Sequence, residues 1–207
     1  MTREAYASSE RAAKYVRERR RPWRRLAKAW EVGRIRRLAG PPTTRGRVLD
    51  VACGGGRFDC HVACDRSAGM AAIAKAAGRR TVRGDAFALP FRDDAFDTTL
   101  CVRLLHRFDE QQRRAALVEL ARVGRRAVVS YFATTGVKGR RRAARDARAA
   151  ERSTTARPAA QSRSRTRRGI PPATFAGDCA AAGWTVLRDV ASIPGWSEQR
   201  IALLERA

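Results

Sequence analysis

The residues best suited to chemistry lie in one stretch, Val48-Leu49-Asp50-Val51-Ala52-Cys53-Gly54-Gly55-Gly56-Arg57-Phe58. A short apolar run carries one carboxylate, Asp50, and breaks into three consecutive glycines. A buried parallel strand enters a tight turn at the edge of a nucleotide-sized crevice in this way. Glycine lets a ligand approach the backbone there and permits positive φ. Such a turn gains weight when an acidic residue closes the next strand, and Asp65 stands in that place. A second grouping, Cys53, Cys60, His61 and Cys64, invites metal ligation, but its spacing matches no usual zinc pattern, so no metal is expected. The five cysteines, an odd number, read as reduced core thiols.

These residues need a sheet to position them, and the chain alternates strand and helix as such a sheet requires. Strands are expected at Val48–Ala52, His61–Cys64, Thr81–Val82, Phe96–Val102 and Ala127–Tyr131. Helices are expected at Ser67–Ala77, capped by Ser67 and ended by Gly78, and at Gln111–Val123. A Pro-opened helix, Ala173–Ala182, precedes two strand-like runs, Trp184–Val190 and Arg200–Leu204, that read as a terminal hairpin. The pattern implies an α/β, Rossmann-like three-layer sandwich, mostly parallel, with a C-terminal antiparallel hairpin at one edge. One link is short. Only eight residues separate Gly56 from Asp65, whereas a parallel crossover usually takes a dozen or more. The helix after the first strand is therefore expected to be truncated.

Charge divides the chain. Its net charge is +24 and its Arg and Lys lie mostly outside the core: residues 1–47 carry 15 basic against 4 acidic side chains, and residues 137–168 carry 12 against 2. Residues 1–47 read as a basic helical extension before a domain at 48–207. In it, Tyr15, Trp23, Leu26, Trp30 and Ile35 recur at helical spacing, and Pro22 starts a second helix. Aromatics among arginines can bind nucleic acid, but the same stripe packs a helix on a domain edge. Residues 137–168 lack large apolar side chains and are expected to be a mobile basic insertion with a transient helix near 140–152. The field attracts polyanions such as RNA, although an Arg- and Ala-rich codon bias would give the same composition. No apolar run has the length of a transmembrane helix, and no secretory leader is evident, so a cytoplasmic protein is expected.

The ordered set of motifs resembles the class I S-adenosylmethionine-dependent methyltransferases, within them the type-11-like group of small bacterial enzymes. The resemblance rests on Val48–Gly56, on Gly84-Asp85-Ala86 with Leu89-Pro90-Phe91 and Phe96-Asp97, on Leu104-Leu105-His106 and on Val129-Ser130-Tyr131-Phe132. It implies that S-adenosylmethionine is the cofactor. Ala52, Cys53, Gly54 and Gly56 would then lie against its methionine part, and Asp50 would order the turn or meet the amino group. Asp65 would hold the ribose hydroxyls, and Asp85 with the Ala86 amide would meet the adenine, covered by Phe87 or Met70. Cys101 would line the methionine side through its backbone.

The reaction implied is displacement at a sulfonium methyl, with His106 and Tyr131 as candidate bases at the carboxyl ends of strands. A small or lipid-like acceptor is the first expectation, and RNA is a variant because of the charge. The contrasting reading is a basic RNA-binding module on an inactive methyltransferase fold. Ala52 departs from the glycine usual at its place and is tolerable there if its φ is negative.

Overall fold

The structure is a computed structural model that describes residues 12, 22–153, 169–195 and 197–207. The expected first half of the N-terminal helix, and the second half of the basic insertion, lie outside these residues. Helix α1 (Pro22–Ala39) starts on its proline and ends before Gly40, whose φ is +82°. A single turn, α2 (Pro42–Arg45), leads into β1 (Val48–Val51), which is buried throughout.

β2 (Val62–Asp65) is followed by α3 (Ala68–Ala76), where Ser67 Oγ accepts the Met70 N–H at 3.3 Å. Next come β3 (Thr81–Arg83), β4 (Phe96–Cys101) and a 3-10 turn at Leu105–Arg107. α4 (Glu110–Val123) opens on a capping box between Asp109 and Gln112. β5 (Gly124–Phe132), α5 (Gly136–Ser153), α6 (Pro172–Ala181), β6 (Trp184–Ala191) and β7 (Gln199–Arg206) complete the chain. α5 spans the stretch of the basic insertion in which a helix is expected.

The seven strands run β3-β2-β1-β4-β5-β7-β6. All pairs are parallel except those of β7, which lies antiparallel between β5 and β6. The terminal hairpin therefore folds back on itself so that β7, the later strand, is internal and β6 forms the edge. The order reverses between β1 and β4. In open α/β sheets that switch point leaves a crevice at the carboxyl ends of the strands, where the glycine turn sits.

Between β1 and β2 there is no helix. The chain returns through turns and irregular backbone, and His61 meets the amino end of β1: its N–H donates to Val48 O at 2.8 Å, and its Nδ1 accepts the Val48 N–H at 3.0 Å. The sheet face left bare is covered by other means. Ile35 and Ala39 of α1 pack with Phe58 on Val48, Leu100, Val128, Ile201 and Leu203.

On the opposite face, α4 and α6 bury Leu117, Leu120, Val123, Phe175 and Cys179. The β3–β4 connection also lacks a helix and substitutes Leu89, Phe91 and Ala95. Arg122 of α4 clamps that loop, directing its five N–H groups to Glu119 (two bonds), Asp93, Leu89 O and Phe91 O at 2.7–2.9 Å. α4 and α6 are joined by Arg113 and Arg114 on Asp178, which is fully buried.

Candidate active site

The turn after β1 alternates its handedness. Ala52, Gly54 and Gly56 have φ of +57°, +56° and +69°. The condition under which alanine is tolerable here, a negative φ, is not met: Ala52 occupies the left-handed region, which costs an L-residue with a Cβ roughly 1–2 kcal/mol. The backbone here is over-determined by the strand pairing around it. Cys53 N–H donates to Cys64 O at 3.1 Å, Gly56 N–H to Cys53 O at 3.1 Å, and Gly54 N–H to Asp65 Oδ2 at 2.9 Å. A Cβ on Gly56 would lie 2.9 Å from Arg79 Cγ, so packing excludes it, whereas a Cβ on Gly54 would meet nothing within 4 Å. Gly54 thus presents open backbone to the crevice.

Asp50 pairs with Ala63 across the strands and alternates with Leu49 and Val51, which join the α4 and α6 side. Its carboxyl therefore points toward the face on which the crossover helix is missing. It is 1% exposed, and Oδ2 has no hydrogen-bond partner among the described residues. Burial pushes its pKa up to about 7, against the pull of the Arg57 guanidinium and with reinforcement from Asp65. Asp65 accepts from Gly54 N–H through Oδ2 and from Ser67 N–H through Oδ1, each at 2.9 Å, and burial raises its pKa despite those two donors.

Asp85 follows β3 and holds its own turn through the Phe87 N–H at 3.2 Å, while its other oxygen pairs with Arg66 at 3.2 Å. Ala86 is half-buried beside it. A Cβ on Gly84 would lie 2.6 Å from Pro90 and 2.9 Å from Cys64 Sγ, so this glycine answers to packing. Cys53 and Cys101 are buried thiols, and burial raises both pKa values, that of Cys101 to about 12. Asp50, Ala52, Cys53, Gly54, Gly56, Asp65, Asp85, Ala86 and Cys101 are thus gathered at the carboxyl ends of β1–β4.

The two candidate bases are placed otherwise. Tyr131 is fully buried, stacks on Phe175 at 4.0 Å and donates its hydroxyl to Asp189 Oδ2 of β6 at 2.6 Å. Burial and that carboxylate both raise its pKa. His106 is 5% exposed and packs edge-on against Phe132 at 4.5 Å.

A polar cluster that no local pattern announces lies on the other side of the switch point. Glu31 of α1, 2% exposed, receives Arg103 Nε at 2.8 Å and Nη2 at 2.7 Å. Gln199 of β7 donates to the same carboxylate at 2.5 Å, and Arg57, next to the glycine turn, at 3.4 Å. Burial opposes the Glu31 charge, yet Arg103 and the other donors hold its pKa below the usual value. Arg103 has φ of +64°, and its N–H donates to Ser130 Oγ at 2.9 Å. Away from all of this, a cavity of about 460 Å³ opens at the amino ends of β1 and β2 near Arg36, Asp59 and His61.

Residues 49–132 match the family model described as a methyltransferase domain. Those residues carry a methyltransferase domain, on the class I fold. The cofactor of that family is S-adenosylmethionine. The domain is 33% identical over 104 residues to the probable tRNA methyltransferase 9B of Bos taurus, covering 47% of this chain and 22% of that one. It is 32% identical over 96 residues to the tRNA (carboxymethyluridine(34)-5-O)-methyltransferase alkbh8 of Xenopus tropicalis, covering 42% of this chain and 15% of that one. The chain therefore spans less than a quarter of the length of these curated relatives.

The fold is shared with the magnesium protoporphyrin IX methyltransferase of Synechocystis PCC 6803, solved with S-adenosylhomocysteine bound. The TM-score is 0.67 at 14% identity, covering 99% of this chain and 98% of that one. Within the described residues, no helix of this methyltransferase domain is long and apolar enough to cross a membrane.

Proposed function

We propose that the chain transfers the methyl group of S-adenosylmethionine to an oxygen acceptor on RNA that is already anionic at neutral pH. The observation that carries this reading is the engagement of Tyr131 by a carboxylate and the burial of His106. Tyr131 is committed to Asp189, with its pKa raised, and His106 is packed against Phe132. An acceptor that needs no deprotonation, such as a carboxylate, fits a site so furnished. The domain's own part is then to bind, align and exclude water.

The residues at the turn fit the cofactor. When bound, it supplies an electrophilic methyl on a sulfonium. Gly54 offers open backbone for close approach, and the orphaned Asp50 Oδ2 is a buried acceptor suited to an ammonium group. Each Asp65 oxygen takes one N–H and keeps a second lone pair for a ribose hydroxyl. Asp85, with the Ala86 amide, serves the adenine once Arg66 yields its place on the carboxylate. Phe87, which packs on Phe108 at 4.7 Å, covers one ring face. The Cys101 backbone lines the methionine side.

RNA is favoured over a small or lipid-like acceptor for two reasons. The relatives named above act on tRNA by their names, one of them at a carboxymethyl group. In addition, α5 begins just past the carboxyl end of β5 and presents exposed Lys138, Arg141, Arg145 and Arg148 at helical spacing. The reading of an inactive RNA-binding module is less favoured, because the turn keeps both its open backbone and its carboxylates.

Incubation with methyl-tritiated cofactor and deproteinised tRNA tests the reading. Label is expected in the tRNA and is expected to leave as methanol under mild alkali, as a methyl ester does. Label confined to small molecules, or stable to alkali, overturns the acceptor. Absence of S-adenosylhomocysteine binding with retained tRNA binding restores the inactive module.

A further inference from the structure

We infer that Arg103 and Arg57 form a receptor for an oxyanion carried by the methyl acceptor, seated over the carboxyl ends of β4 and β5. The inference rests on the methyl-transfer reading above and adds the residues that grip the acceptor.

Placement is the first ground. Asp65 and Asp85 put the ribose and adenine ends of a cofactor at β2 and β3, so its methyl end falls near β1 and β4. An acceptor must then approach over β4, β5 and β7. The Glu31 cluster occupies that side: Arg103 leaves β4, bonds Ser130 of β5 and shares Glu31 with Gln199 of β7. Arg57 reaches the same carboxylate from the glycine turn.

Valence is the second ground. Two guanidinium groups converge on one carboxylate, so the trio carries one uncompensated positive charge. Asp50, the other acid facing Arg57, offsets it only when ionised. Neither guanidinium is exhausted. Arg103 uses Nε and Nη2 on Glu31, and Arg57 uses Nη1. Among the described residues, Arg103 Nη1 and Arg57 Nη2 donate no hydrogen bond. The two side chains remain 25% and 16% exposed, whereas Glu31 beneath them is 2% exposed. The outward N–H groups are therefore held in a fixed orientation by a buried carboxylate, the arrangement in which arginine binds carboxylate or phosphate most selectively.

Backbone strain is the third ground. Arg103 keeps a left-handed φ of +64° at the exit of β4, where an ordinary residue would relax. The Ser130 and Glu31 bonds hold it there, with the guanidinium turned onto the buried carboxylate and its side chain still 25% exposed. Such strain is characteristic of positions that present a side chain to a ligand.

The test uses melting temperature of the full chain, with and without saturating S-adenosylhomocysteine. Sodium acetate or inorganic phosphate is compared with chloride at equal ionic strength. Both oxyanions are expected to raise the wild-type melting point, and Arg103→Lys and Arg57→Ala are expected to lose most of that rise. Arg103→Ala strands the Glu31 carboxylate, so it is examined in the pair Glu31→Gln with Arg103→Ala. Equal rises in wild type and both variants overturn the inference.

The source of the anion is separated by calorimetry. In Arg103→Lys, S-adenosylhomocysteine affinity is expected to stay within about twofold, while KM for tRNA rises about tenfold with little change in kcat, as loss of one charge-assisted contact implies. A tenfold loss of S-adenosylhomocysteine affinity with unchanged 5′-methylthioadenosine binding would assign the pair to the cofactor's own carboxylate and overturn the inference. If the wild type binds no S-adenosylhomocysteine, the methyl-transfer reading fails, and the anion response is still read on the cofactor-free chain.

Discussion

Ala52 and Asp50 stand two residues apart and carry opposite kinds of local tension. Ala52 holds a φ that glycine adopts without cost. Ala52→Gly is expected to stabilise the fold by about 1 kcal/mol, less the entropy glycine adds to the unfolded chain, and to tighten S-adenosylhomocysteine. Chemical denaturation and calorimetry check both; a weaker fold and weaker binding would show that the alanine methyl contributes packing instead. Asp50 holds a carboxyl whose folded pKa, about 7, lies above its ordinary value of 3.8. The folded state therefore binds the extra proton between those values, and stability from this group is full below about pH 4 and lost as pH rises through 7. An ammonium ligand reverses the balance by favouring the ionised form. Cofactor affinity is expected to rise by up to about tenfold per pH unit below 7 and to level off above it. Calorimetry at pH 6, 7 and 8 should show that trend in the wild type and a flat profile in Asp50→Asn.

Two crossovers in this sheet have no helix, and each is replaced by a different device. Between β1 and β2, Phe58 and the α1 residues Ile35 and Ala39 cover the bare face. Between β3 and β4, the loop is secured by Arg122, whose five donors are all engaged. Glu119 also accepts the Leu89 N–H at 2.8 Å, so the clamp holds the loop from both its donors and its acceptors. Arg122→Ala is expected to cost about 2–3 kcal/mol, because it leaves Glu119 and two carbonyls without their partner. Hydrogen exchange should quicken at Leu89 and Phe91 while β1 and β4 stay protected; uniform quickening across the sheet would point to global loss of stability.

Across the whole molecule, the charge is unevenly spread, and α5 carries an exposed basic row close to the crevice. Binding to tRNA is expected to weaken steeply with salt. Charge reversal at Arg141, Arg145 and Arg148 together is expected to reduce the log–log salt slope by about three. Filter binding across a salt series measures it. An unchanged slope would move the RNA-contacting surface away from α5 and leave the oxyanion receptor at Arg103 untouched.

Local pattern was enough to read the alternation of strands and helices, the glycine turn, Asp65 and Asp85 at strand ends, the hairpin and the missing first helix. Each rests on the chemistry of neighbouring residues: apolar runs, caps, glycines and a count of residues too small for a crossover. Tertiary structure alone decided the φ of Ala52, the burial of an orphaned Asp50 oxygen, the commitment of Tyr131 to Asp189 and the place of β7 between β5 and β6. It also decided the meeting of Glu31, Arg57, Arg103 and Gln199. Glu31 lies 72 residues from Arg103 and 168 from Gln199 in the chain. No spacing rule links positions so far apart; only the packing of α1 across the sheet desolvates the carboxylate and brings the cations to it.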